Sequence, residues 1–251
     1  MESFFDARRW APFLEPAIWQ FVWTGLQITM AMAAIAIAGS LLLGLVLAIC
    51  RLSRLPILRY PAIVFVESVR ALPVLLLIFF VFFGASRAGW GLSPFGAGTL
   101  ALTLYTGAIN AEIMRAGITS IGRGQWEAAR SLGLTYGQAL TYVVLPQAAR
   151  RMVPPQVSQI ITLIKDTSLA AVIGVGELTR RGQLIYQSEV NPLQSLFVCA
   201  CIYFAINYSL SLFSRRWEVG VSSGETGRGH RVQPSGPVGP VGPLAGGPSA
   251  A

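Results

Sequence analysis

Residues 16–50 form a run of 35 positions without a single Asp, Glu, Lys or Arg. A helix needs about 20 mostly apolar residues to cross the hydrocarbon core of a bilayer, so this run supplies one span with turns to spare. Inside lipid the backbone must satisfy its own hydrogen bonds, which for one isolated run means an α-helix. A signal-peptide core has only roughly 7–15 residues, so the run reads as an uncleaved first helix. Further apolar segments follow at about 60–83, 95–115, 152–175 and 192–214. The expected fold class is therefore all-α, a polytopic membrane protein with five transmembrane helices.

Composition agrees. Hydrophobic residues make up 53% of the chain and charged residues 12%, against about 25% charged in a soluble domain. The net charge of +8 does not point to nucleic acid, because the arginines gather at the ends of apolar runs. Cytoplasmic loops carry the positive excess. Arg51, Arg54, Arg59, Arg123, Arg130, Arg150, Arg151, Arg215 and Arg216 fall on one side. The smaller set of Arg8, Arg9, Arg87, Arg180 and Arg181 falls on the other. This bias places the chain in the cell membrane with the N-terminus outside and the C-terminus in the cytoplasm. Residues 1–15, where Phe4, Phe5, Trp10, Phe13 and Leu14 alternate with charges, read as an interfacial segment. Residues 16–219 form the transmembrane domain, and 220–251, rich in Gly, Pro and Ser, read as a disordered cytoplasmic tail.

Catalytic chemistry is poorly supplied. His230, the lone histidine, sits in that tail, and Cys50, Cys199 and Cys201 are dispersed in apolar stretches, so neither a metal site nor a disulfide framework is expected. No Gly-x-x-x-x-Gly-Lys-Ser/Thr loop occurs. The chain is expected to bind no cofactor and to hydrolyse no ATP itself.

Two kinds of polar feature interrupt the apolar pattern. The first is the stretch 125–146 between the third and fourth spans, which reads as a short helix exposed for docking. Glu127 is placed in the first turn of a helix opening near Gly124, where a carboxylate meets the positive end of the macrodipole. Ala128 and Ala129 leave a partner close access to the backbone. Gly133 can stop the helix at positive φ, and Pro146 is expected to break or kink the next one. The second feature is charge within the spans, a functional candidate by default. Glu67 and Arg70 are three residues apart ahead of Pro73, as are Glu112 and Arg115 beyond Asn110. Each pair either fixes helix packing or touches a substrate; spacing does not choose between them. Lys165, Asp166, Thr167 and Ser168, in the middle of the fourth apolar run, offer a cation, an acceptor and two hydroxyls to a zwitterionic solute. Gly25, Gly39 and Gly44 are assigned to close helix packing.

The 125–146 stretch resembles the Glu-Ala-Ala loop of permease subunits in bacterial ABC importers. That pattern is Glu-Ala-Ala, three residues, Gly, nine residues, Ile, one residue, Leu-Pro; only Val143 departs from it. The resemblance spans residues 19–218. Glu67-Ser68-Val69-Arg70-Ala71-Leu72-Pro73 is similar to the Glu-x-x-Arg-Gly-Thr-Pro of polar-amino-acid permeases. Gly107 to Gly117, Ser120 to Arg130 and Leu163 to Leu169 match three further signatures of that family in order. Ala71-Leu72 and Ile109-Asn110 replace the family's usual residues where the translocation path is expected.

The resemblance implies a larger machine. A second permease chain, identical or different, packs about a two-fold axis. Each chain lays a coupling helix carrying Gly124, Glu127, Ala128, Ala129 and Gly133 into one subunit of an ABC ATPase dimer. An extracytoplasmic solute-binding protein delivers a polar amino acid, glutamate- or glutamine-like. Glu67, Arg70, Asn110, Glu112, Lys165, Asp166, Thr167 and Ser168 become candidates for the substrate path. The competing reading is an ion-coupled secondary transporter using Glu67, Glu112 and Asp166, though such proteins usually carry internal repeats and none is visible here. A third is a membrane-anchored assembly protein, which leaves Lys165–Asp166 unexplained.

Overall fold

The computed structural model describes residues 7–189 and 192–226, and among these every regular element is helical. Helix α1, Pro16–Leu52, begins with a proline in its first turn and ends where Ser53 turns extended. At 1.5 Å per residue its 37 residues span about 55 Å. Its buried face repeats small residues every fourth position, Ala36, Ser40, Gly44 and Ala48. A face of this kind lets two backbones approach where lipid supplies no hydrophobic drive between helices. A Cβ on Gly25, Gly39 or Gly44 would stand 2.9, 2.9 and 2.6 Å from Arg181, Thr103 and Asn110 respectively. All three glycines thus do the packing work assigned to them from sequence.

The segment expected to be one span at 60–83 is two helices. Helix α2, Pro56–Ala71, and helix α3, Val74–Arg87, meet at 110°. Pro73 disfavours the helical region for the residue before it, and Leu72 accordingly lies at φ −88°, ψ 143°. Each half, 16 and 14 residues long, is about 21–24 Å at helical rise and so shorter than the bilayer core.

Helix α4, Pro94–Thr119, is the central post, packed on α1, α2, α3, the helix 145–166 and the 3₁₀ segment 167–173. Ser93 caps it, its hydroxyl accepting from the Gly96 N–H at 3.1 Å. Although 26 residues long, it does not qualify as a span on hydropathy. Its buried positions hold Gly98, Thr99, Thr106, Gly107 and Asn110 as well as alanines. Neighbouring helices, not lipid, surround this face. By length and apolarity α1 and residues 192–212 each qualify as a span, and two bent helix pairs raise the number to four.

Beyond α4 come the short α5, Arg123–Ser131, and α6, Tyr136–Ala139. A π-helical turn, Leu140–Val144, joins α6 to α7, Leu145–Asp166. The expected break at Pro146 is absent. Pro146 occupies the first turn of α7, and the wider π turn ahead of it accommodates a residue that cannot donate an i−4 bond. A 3₁₀ segment, Thr167–Ile173, ends at Gly174 and leads to α8, Leu178–Glu189. Helix α9, Pro192–Thr226, is the last element among the described residues. It continues past residue 220, where the tail was expected to start; residues 227–251 lie outside the described part.

The N-terminal 3₁₀ segment Ala7–Leu14 buries Phe13 with Val22, Leu178, Ile185 and Val198, with Trp10 alongside. Phe4 and Phe5 lie outside the described residues. The main core gathers α1, α2, α3, α4 and α7 around Met32, Val66, Ile78, Leu102 and Leu163.

Candidate functional site

The docking loop is tightly built. Gly122 sits at the start of α5, and Glu127 is its fifth residue, in the second turn and not the first. The helix opens slightly earlier than its sequence suggested, so the macrodipole argument for Glu127 does not hold. The C-terminus of α5 closes with the Gly133 N–H on the Arg130 carbonyl (2.9 Å) and the Leu134 N–H on the Ala129 carbonyl (3.2 Å). Gly133 takes φ +83° to permit this, a conformation open to glycine at no Cβ penalty. Thr135 and Gln138 then form a reciprocal capping box that starts α6 two residues later.

One side of α5 is anchored. Ala129 is buried, and Trp126 packs on the small cluster of Ile121, Val144 and Ala148. Trp126 also stacks on Tyr136, with ring centroids 5.0 Å apart, and the Arg54 guanidinium lies 5.7 Å above the Tyr136 ring. Gln147 Nε2 donates to Gln125 Oε1 at 3.1 Å, and Arg151 donates to the Ser120 carbonyl at 2.8 Å. The other side is free within the chain. Gly124, Glu127 and Ala128 are exposed, and Leu132 is 83% exposed.

At the same end of the bundle, the two acidic–basic pairs read from sequence are joined by a residue that sequence reasoning assigned to a flank. Arg51, at the last turn of α1, reaches Glu67 Oε1 on α2 at 2.9 Å and Glu112 Oε2 on α4 at 3.2 Å. Arg70 lies 3.8 Å from Glu67, and Arg115 holds Glu112 through two hydrogen bonds of 3.0 and 2.6 Å. Three helices are thus tied by five charges. The signal in sequence was only that Arg51 ends an apolar run, a feature shared with every interfacial arginine.

The other candidates are placed elsewhere. Asn110 is 2% exposed and faces α1, where its Nδ2 donates to Ser40 Oγ at 3.2 Å. Lys165 is exposed and Asp166 half-buried, with no ion pair to any described residue. Thr167 is fully buried and spends its hydroxyl on the Ile164 carbonyl; Ser168 donates to the Lys165 carbonyl. Between α4 and α7 lies a cavity of about 420 Å³, lined by Glu112, Ile113, Ala116, Gly117, Ser120, Arg151 and Pro155. Lys165 is ten residues past Pro155, about 15 Å further along α7. The structure brings Glu67, Arg70 and Glu112 together and keeps Lys165–Ser168 apart from them.

A further buried carboxylate escaped the sequence reading. Glu177 is fully buried and accepts from the Thr179 and Arg180 N–H groups (2.9 and 2.7 Å) and from the Tyr203 hydroxyl (2.9 Å). It caps α8, while the Leu178 N–H goes to Thr29 Oγ1 on α1 at 3.1 Å. The pattern of Gly176 and an acidic residue just ahead of a helix was the available signal.

Residues 40–222 match the family described as binding-protein-dependent transport system inner membrane component. The chain belongs to that family. Among its relatives, the probable glutamine ABC transporter permease protein GlnP of Bacillus subtilis (strain 168) is 46% identical over 202 residues, covering 79% of this chain and 93% of the relative. The glutamate transport system permease protein GluD of Corynebacterium glutamicum is 35% identical over 225 residues, 87% of this chain and 82% of GluD. A solved amino acid ABC transporter with histidines superposes with a TM-score of 0.75 at 32% identity, over 78% of this chain and 94% of that one. The transport-component family leaves the ion-coupled reading without support.

Proposed function

We propose that the chain is the transmembrane permease subunit of an ATP-driven ABC importer carrying a polar amino acid of the glutamine or glutamate type into the cytoplasm. The observation that carries this reading is the 46% identity to a glutamine permease over 93% of that relative. In this reading the chain crosses the membrane five times, with α4 as a span shielded from lipid. The N-terminus is outside and the docking loop in the cytoplasm. Helix α5 is the coupling helix: Gly124, Glu127, Ala128 and Leu132 present a free surface to an ABC ATPase subunit, and Gly133 fixes where that surface ends. A second permease chain completes the path, and a solute-binding protein delivers the substrate from outside.

The anchored side of α5 gives the mechanism a physical route. Movement of α5 by a closing ATPase pulls on α4 through Ile121 and on α7 through Gln147, Arg151 ties α7 in turn to Ser120 at the end of α4, and the α4–α7 cavity lies between those two helices. A ligand shifts such an equilibrium only through its different affinity for the two states, so nucleotide and loaded binding protein must both favour the outward-open one. The exposed Lys165 and half-buried Asp166 supply a cation and an anion to a zwitterion in the assembled path. The purified complex of both permease chains and the ATPase, in lipid vesicles, should hydrolyse ATP faster when a glutamine- or glutamate-loaded binding protein is added. Equal hydrolysis with loaded and empty binding protein would overturn the proposal.

A further inference from the structure

The charged bridge leaves a residue of positive charge on one side. A cleft of about 280 Å³ opens between α1, α2 and α4, lined by Arg51, Leu52, Arg59, Ile63, Arg115 and Thr119. Three of its six lining residues are arginines and none is acidic. The carboxylates of Glu67 and Glu112 hold Arg51 and Arg115 from outside this lining. Arg59 forms no ion pair with any described residue. The Arg51 side chain is only 9% exposed, and its buried Nε–H has no hydrogen-bond partner. A buried guanidinium donor without an acceptor is costly, so the Arg51 head beside this cleft is not fully satisfied by its two carboxylates.

The surroundings say what kind of anion. Leu55, Ile57, Leu58, Tyr60 and Val64 are all exposed on the α1–α2 turn and on α2 itself, next to Arg59. Leu52, in the lining, is 40% exposed. An arginine-lined cleft at a helix end with an apolar apron suits a molecule with a phosphate at one end and hydrocarbon at the other. A free phosphate has no use for that apron. Guanidinium groups match phosphate oxygens in geometry, and basic pockets between membrane helices hold anionic lipid headgroups. We propose that the α1–α2–α4 cleft binds the phosphate headgroup of an anionic phospholipid, gripped by Arg51, Arg59 and Arg115. The proposal rests on the chain's lying in a bilayer, not on which solute it carries. Because Arg51 and Arg115 are shared with the bridge, the bound lipid is wired to the contact that joins α1, α2 and α4.

The test is lipid retention by the intact permease–ATPase complex, read by native mass spectrometry after exchange into vesicles of mixed phosphatidylglycerol and phosphatidylcholine. Wild type should retain phosphatidylglycerol in clear excess. Arg59→Gln removes a side chain with no ion pair, so folding is spared, and should lower that excess about five-fold, the worth of one basic residue near a lipid surface. Arg87→Gln, at the end of α3 and away from the cleft, should leave it unchanged. Equal retention of both lipids, or an equal loss in the Arg59 and Arg87 variants, overturns the site. Displacement of phosphatidylglycerol by millimolar inorganic phosphate overturns the commitment to lipid. None of these readings requires transport or hydrolysis, so they stand apart from the test of function.

Discussion

Gly44 on α1 and Asn110 on α4 lie so close that a Cβ on the glycine would stand 2.6 Å from the Asn110 Cβ. One turn away, Ser40 accepts the Asn110 side-chain N–H. The asparagine therefore pins the central helix to the longest one, and it is unavailable to a solute in this arrangement. Gly44→Ala should cost about 1–3 kcal/mol, as overpacked cores do. Asn110→Gly should restore only part of that loss, because the added Cβ also meets backbone, the Ala111 nitrogen at 3.1 Å. Unfolding of the purified chain in graded denaturing detergent measures both; full rescue would show that the backbone is free to yield.

The bridge centred on Arg51 makes a second prediction, in which burial outweighs distance. Arg51 is nearer to Glu67, at 2.9 Å, than to Glu112, at 3.2 Å. Yet the Glu67 side chain is 54% exposed and that of Glu112 only 24%. Exposed pairs are screened by solvent and worth about 0–1 kcal/mol, whereas a partly buried ion pair is screened much less. A double-mutant cycle of Arg51→Met with Glu112→Gln should give the larger coupling energy, and the cycle with Glu67→Gln the smaller. The reverse order would mean that distance, not screening, governs this cluster.

How much of this could be read beforehand depended on whether a residue's role was local. Gly25, Gly39 and Gly44 were legible because a glycine in an apolar helix has few roles beyond close approach. Gly133 was legible because the end of a short helix needs positive φ. Pro73 was visible, but the apolar pattern runs unbroken across it, so the 110° turn between α2 and α3 was not. Arg51 looked like any other flanking arginine, since its two carboxylates are 16 and 61 positions away in sequence. Asn110 and Thr167 looked polar enough to face a solute, and their burial depends on which way α4 and the 3₁₀ segment are turned. Glu127 moved from the first turn to the second because helix boundaries are uncertain by a residue or two.

Pro73 gives the third prediction. Pro73→Ala lifts the restriction on Leu72 and returns an N–H that can bond within a helix. The angle between α2 and α3 should then open, and spin labels placed at the exposed Val64 and Phe80 should move apart. Unchanged label distances would mean that packing of α3 on α4, rather than the proline, sets the bend.

On the docking helix, Leu132 and Glu127 should separate two functions. Leu132 is exposed apolar surface at the end of α5, so Leu132→Asp should weaken association with the ATPase while leaving the permease folded. Glu127→Lys should leave the complex assembled but uncouple hydrolysis from transport. Co-purification and transport by reconstituted complexes distinguish the two outcomes. Normal transport by the Glu127 variant would sink its part in coupling.

Glu177 and Tyr203 supply the last prediction. The buried carboxylate accepts two backbone N–H groups at the start of α8 and the Tyr203 hydroxyl from α9, so it ties the two helices together while capping one of them. Loss of a cap costs about 0.5–2 kcal/mol and a buried unsatisfied donor about 1–3 more. Glu177→Ala orphans all three donors and should be the most damaging change. Tyr203→Phe removes donor and contact together, leaves the cap in place, and should cost about 1 kcal/mol. Glu177→Gln keeps one carbonyl oxygen and exchanges the other for a donor, so it should fall between them. In the Glu177→Ala background Tyr203→Phe should cost almost nothing, since its hydroxyl has already lost its acceptor. Denaturation midpoints of the three single variants and the double variant test this ordering. Additive losses in the double variant would mean that the tyrosine stabilises α9 by a route that does not pass through Glu177.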